Sequence, residues 1–225
     1  MGLVDSNSLA RTLDAVNAAF FFGEPPSASQ REQAARWIAG RQGLPGSYAR
    51  TFAPTERDLK GGAKMFTGEA IDSRVATRHM LGEEACRALF LLDVREEEVQ
   101  DALNRARSQL FSWIGKTDSR PGIFCCGKCT VSLWRHMAVA GDTEAQDMLV
   151  KGVRALKSRR VDGGRWQAFP FYYTLLALTD MQFPEATEEM KHAAQACERY
   201  LQRQKGKDET GRRRRVLAEK VLGKC

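Results

Sequence analysis

"VRALKSRRVDGGRWQAFPFYYTLLAL", residues 153 to 178, is the stretch on which the reading of the fold turns. Val153 and Leu156 close one helix at helical spacing, and the basic pair Arg159-Arg160 follows it. Asp162-Gly163-Gly164 then marks a turn, because glycines supply backbone conformations that other residues resist. From Pro170 onward apolar and aromatic residues follow one another with little polar interruption, which predicts a helix buried nearly all round over Pro170 to Met181. Helix, basic pair, glycine turn, aromatic residue and inner helix form a grammar that recurs. "ARWIAGRQGLPGSYARTF" (35–52) runs helix, Arg-Gln, glycine-rich turn and aromatic residue, and "RSQLFSWIGKTDSRPGIFCCGKCTVSLWRHM" (107–137) can be laid between the two, with "TDSRPGIF" in the turn position. Such helix–turn–helix units bury their apolar faces only by stacking on neighbours, so the expectation is an α/α solenoid or closed ring.

Working outward, the same helical period dominates. Leu9, Leu13, Val16 and Phe20 lie on one stripe, with Ser6 or Ser8 as cap, until Gly23-Glu24-Pro25-Pro26 ends the segment. Ser29 and Glu32 read as a capping box for the next helix. Thr55 starts a shorter one, with Gly61-Gly62 as a weak point inside it. Asp72 to Val94 and Glu96 to Lys116 read as long helices, and a further one carries Ala145, Leu149, Val153 and Leu156. Pro184 suits a first helical turn. No stretch alternates like a strand. The sequence therefore predicts an all-α helical-repeat protein of about nine or ten helices. Residues 1–204 form its single domain, and 205–225 are a basic C-terminal tail, flexible or a short helix.

Asp162, Gly163, Gly164 and Trp166, followed by Thr174, Ala177 and Leu178, carry a resemblance. The segment Leu156 to Leu178 resembles the repeat of the squalene-cyclase and prenyltransferase-like α/α toroids, whose turns carry an aspartate–glycine–tryptophan element before a helix entering the ring. The glutamine usual before that turn is Arg159 or Arg160 here. The resemblance implies a partial or small toroid with a concave face or central cavity. It does not bring the acidic chemistry of that fold: neither Asp-x-Asp-Asp nor Asp-Asp-x-x-Asp occurs, and Mg²⁺ on a diphosphate needs such clustered hard oxygens. "REEEVQ" (95–100) reads instead as the exposed first turn of a helix, where acids favour the dipole.

Composition narrows the partners. Of 225 residues 43% are hydrophobic and 28% charged, enough for a packed core. No apolar run approaches the roughly 20 residues that cross a bilayer, which argues against a membrane partner and for a cytoplasmic protein. The formal net charge is +7, nearly all of it from Arg203 onward, where "GRRRRV" holds Arg212, Arg213, Arg214 and Arg215. A nucleic-acid partner would thus bind through the tail. P-loop, dinucleotide-fold, zincin and nucleophile-elbow motifs do not occur.

"IFCCGKCTVSLWRHM" (123–137) is the other conspicuous stretch. Cys126-Gly127-Lys128-Cys129 is a C-x-x-C at a helix start, where the helix end can lower a thiol pKa. "CGKC" resembles a thioredoxin-type redox centre, although no strand pattern precedes it. Cys126 and Cys129 also suit half of a zinc site, since residues three apart share a helix face. His136 is seven residues from Cys129, about 10.5 Å along a helix, so the remaining ligands would come from elsewhere, with Cys86 and His79 as candidates. The leading expectation is a soluble helical-repeat protein binding a small molecule, peptide or protein partner. The lining would come from Trp134, His136, Trp166, Phe171, Tyr172 and Tyr173. The alternative is an enzyme or metal-dependent protein acting through Cys126, Cys129, His136, His79 and Arg78. A third reading is a nucleic-acid-associated adaptor.

Overall fold

The computed structural model describes residues 2–117, 122–203 and 208–225, and it is all-α. Among the described residues ten α-helices follow one another: α1 Leu9–Phe21, α2 Ala28–Ala39, α3 Glu56–Lys60, α4 Arg74–Leu92, α5 Glu97–Thr117, α6 Gly127–Ala140, α7 Thr143–Lys157, α8 Phe171–Thr179, α9 Pro184–Arg203 and α10 Glu209–Leu222. Among the described residues strands are confined to a two-stranded antiparallel hairpin, β1 Arg160–Val161 and β2 Arg165–Trp166. No helix among these residues is long and apolar enough to cross a membrane. The chain divides into two compact units: Met1–Phe66 with Ala70–Ser119, and Thr67–Glu69 with Arg120–Cys225.

In the first unit α4 is the central element. Small and apolar residues occupy all its sides, and Leu81, Ala85, Cys86, Ala88, Leu89 and Leu92 are buried. The apolar stripes of α1 (Leu9, Leu13, Val16), α2 (Ala34, Ala35, Ile38) and α5 (Val99, Leu103, Ala106) join it in one core. Asp58 ties the short α3 to α1. Its buried carboxylate accepts from the Ser8 hydroxyl at 2.6 Å, from the main-chain N–H groups of Leu9 and Ala10, and from Thr55 N–H at 2.8 Å. One side chain thereby satisfies N–H groups at two helix starts.

Several local expectations move. The capping box on α2 is Ser27 with Gln30, not Ser29 with Glu32, because the helix begins at Ala28 directly after the proline pair. Ser8 and Thr55 do cap α1 and α3. Gly61 ends α3 instead of weakening its interior. The 162–164 turn is a hairpin loop in which Gly163 and Gly164 have φ of 79° and 77°, so the flanking residues pair as strands that the helical pattern did not announce. Pro184 opens α9, as expected.

The second unit is built around α6 and α8. Val131, Leu133, Trp134 and Met137 of the former and Tyr173, Leu175, Leu176 and Leu178 of the latter are buried. Amphipathic α7 and α9 lie side by side, stitched by the ion pairs Arg154–Glu185 and Lys157–Glu188 at 2.8 and 3.0 Å, and Arg160 of β1 pairs with Glu189 of α9 at 2.8 Å. The basic run 212–215 belongs to α10, whose Leu217, Ala218 and Val221 are buried. Three of its arginines serve the fold. Arg213 is buried and pairs with Glu209, Arg214 donates to the Thr67 carbonyl and covers the Tyr172 ring, and Arg215 pairs with Glu219. The 204/205 boundary, Lys205 and Lys207 lie outside the described residues, as does part of the "TDSRPGIF" turn.

Candidate thiol site

The segment before α6 is held in place by the helix it precedes. The Trp134 indole N–H donates to the Gly122 carbonyl at 2.8 Å, and Gly122 and Gly152 approach so closely that a Cβ on either would collide with the other's backbone. One turn earlier on α6, the buried Thr130 hydroxyl accepts from Phe124 N–H at 3.0 Å and donates to the Phe124 carbonyl at 2.7 Å. These clamps deliver Cys125 in a left-handed conformation, φ 51°, a region that non-glycine residues adopt at a cost. Cys126 follows as the extended N-cap residue of α6. Gly127 is a packing requirement: a Cβ there would sit 2.0 Å from the Ala168 carbonyl oxygen, in the loop between β2 and α8.

The outcome is a group of three reduced thiols within the second unit. Cys125 and Cys126 are exposed, whereas Cys129, one turn inside α6, is 1% exposed. The Cys129 S–H donates to the Cys126 sulfur, and the Cys125 thiol makes a further contact with it. That donation holds the Cys126 thiol down at about 5, aided by the N–H groups of Lys128 and Cys129 and opposed by partial burial. Cys129 is pushed the other way, first by its hydrogen bond to Cys126 and then by burial. The Cys125 and Cys129 sulfurs lie within 4.8 Å of each other. An exposed thiolate at a helix N-terminus with a buried thiol one turn in can attack an electrophilic sulfur and then resolve the adduct.

His79 and Cys86 stand on α4 in the first unit. The His79 ring lies against Tyr48, with centroids 3.7 Å apart and planes tilted by 39°, and burial lowers its pKa to about 4. Cys86 is in the core, and burial pushes its thiol well above the ordinary range. Arg78 is on the same helix. His136 is fully buried in α6.

The aromatic candidates make ring and hydrogen-bond contacts with neighbouring side chains. Trp134 stacks on Phe169, and Trp166 stacks on Phe171 while donating to the buried Glu189 carboxylate at 2.8 Å. Tyr173 is buried beneath the Arg135 guanidinium, and Tyr172 meets Arg214, Tyr200 and Phe171. None of them lines the cavity of about 340 Å³ in this unit, which is bounded by Met137, Leu149, Met181 and Phe183 with Gln146 and Asp180. Cys125 was absent from the expected ligand set, since its approach to the other thiols depends on a left-handed backbone that residue type does not reveal. Comparison with protein-family models, curated proteins and solved structures finds no match to this chain.

Proposed function

We propose that the protein acts by thiol–disulfide exchange at Cys126 and Cys129. The supporting observation is the placement of an exposed Cys126 at the N-cap of α6, in S–H···S contact with a Cys129 that is 1% exposed. The Cys126 thiolate attacks one sulfur of a substrate disulfide, forming a mixed disulfide and releasing the first substrate thiolate. Bonding to Cys126 removes the negative charge that raised the Cys129 pKa. Cys129 then gives its proton to the released thiolate and attacks the Cys126 sulfur. A Cys126–Cys129 disulfide forms and the second substrate thiolate leaves. The protein dithiol is oxidised, and one substrate disulfide becomes two thiols.

The test is alkylation by iodoacetamide as a function of pH, read residue by residue by mass spectrometry. Cys126 is expected to reach half its maximal rate near pH 5, far below the exposed Cys225, whose thiol burial pushes up. A Cys126 that reacts no faster than Cys225 at pH 7 sinks the reading.

A second reading rests on the cavity, whose apolar walls and Asp180 rim suit a small, mostly apolar molecule carrying a hydrogen-bond donor. Ligand-observed NMR with small aromatic amides should give hits that Leu149→Trp, which fills the space, removes. Hits that persist in that variant refute this reading.

A further inference from the structure

Resting on the exchange reading above, we propose that Cys125 takes over the disulfide, so that the oxidised protein settles with Cys125 joined to Cys129 and Cys126 free. A C-x-x-C needs two thiols for one turnover, and the third sits in the same cluster. Cys125 is exposed and precedes the helix, so its side chain can rotate without disturbing α6. Its sulfur and that of Cys129 lie within 4.8 Å, and closing to the bond of about 2.05 Å asks for side-chain rotation of the kind exposed cysteines make. The Cys125 thiolate attacks the Cys129 sulfur of the Cys126–Cys129 disulfide. The new S–S bond forms, the old one breaks, and its electron pair leaves on the Cys126 sulfur. The redox state is unchanged; only the position of the disulfide moves.

Direction follows from which sulfur carries a departing charge best. A less basic thiol leaves faster and is the one favoured free at equilibrium. Cys126 is the N-cap residue of α6, where the main-chain N–H groups of Lys128 and Cys129 favour its thiolate whichever partner Cys129 has. It is the natural leaving group of the three. The substrate disulfide thus meets a re-armed thiolate that no longer has a buried resolving partner, because Cys129 is bonded to Cys125. A second small disulfide is captured and kept as a mixed disulfide on Cys126.

Disulfide mapping distinguishes the outcomes, in a Cys225→Ser background that removes the remote exposed thiol. Protein treated with one equivalent of oxidised glutathione is blocked with iodoacetamide, and its proteolytic peptides are fragmented between positions 125 and 126. Wild-type spacing should yield Cys125 linked to Cys129 with Cys126 alkylated. Cys125→Ser should yield Cys126 linked to Cys129. With excess oxidised glutathione the unsubstituted cluster should carry one internal disulfide and one glutathione on Cys126, whereas Cys125→Ser should carry the internal disulfide alone. A Cys126–Cys129 link with Cys125 alkylated overturns the transfer and leaves the exchange reading standing. No internal link in either protein overturns both.

Discussion

At Gly127 the absence of a side chain sets the geometry of the whole thiol cluster. The Ala168 carbonyl occupies the place where a Cβ would be, so Gly127→Ala must push either the helix start or the β2–α8 loop outward. Overpacking of this kind costs about 1–3 kcal/mol. The variant should melt measurably lower, and Cys126 alkylation at pH 7 should slow as the S–H···S contact opens. An unchanged melt and rate would show that the loop yields freely. His79 gives a second prediction at this scale. Its pKa is lowered to about 4 from an unfolded value near 6.5, so the unfolded chain binds the proton more readily. Its contribution is complete above about pH 6.5 and is lost as pH falls toward 4. Thermal unfolding across that window should show a steeper loss for wild type than for His79→Phe; equal slopes contradict it. The C-x-x-C at the start of a helix was legible in the residues themselves. What spacing could not show was that Trp134 and His136 would be core and Cys125 a third member, because those facts depend on which way the backbone enters α6.

Among the elements, α10 is the helical alternative expected for residues 205–225, and it sets charge against packing most sharply. A run of four arginines reads as a solvated end, yet the interleaved Leu217, Ala218 and Val221 face inward and Arg213 goes with them. The pattern was present in the sequence, but the charge of the run masks a stripe only three apolar residues wide. Deleting residues 208–225 should therefore act as the loss of a core helix. Far-UV circular dichroism should show the second unit melting well below its full-length value, with the Cys197 thiol, normally pushed up to about 11 by burial, becoming reactive. A truncation as stable as the full chain would return α10 to the status of a tail. Elsewhere the 3.6-residue period served well, since long amphipathic helices such as α5 and α9 repeat it over several turns. Caps and turns were less legible. Ser27 and Ser29 are equivalent as residue types, and only the proline pair before Ser27 selects between them.

On the scale of the whole molecule, the second unit is not one continuous stretch of chain. Thr67–Glu69 belongs to it, although residues on both sides belong to the first unit. Glu69 accepts the Tyr172 and Tyr173 N–H groups at 3.1 and 3.2 Å, capping α8, and Arg214 holds the Thr67 carbonyl at 2.8 Å. Gly68 is needed beside them, because a Cβ would meet Thr210 at 2.4 Å. Nothing in residues 67–69 announces this partnership, which spans 147 residues and uses a main-chain oxygen. Glu69→Ala should destabilise the second unit by about 1–2 kcal/mol, the cost of a lost helix cap. Denaturant titration followed through Trp134 and Trp166, both in that unit, would register it, and an unshifted midpoint would deny Glu69 this role.

The Thr67–Arg214 hydrogen bond also has a consequence in time. A chain made from its N-terminus onward synthesises Thr67–Glu69 long before Arg214. The second unit therefore cannot close until α10 has been made, and the thiols of α6 emerge well before the helix that completes their unit. During that interval Cys125, Cys126 and Cys129 meet the cell's oxidants without their folded surroundings. The order of synthesis, and not only the final geometry, then bears on which pair of them is first to bond.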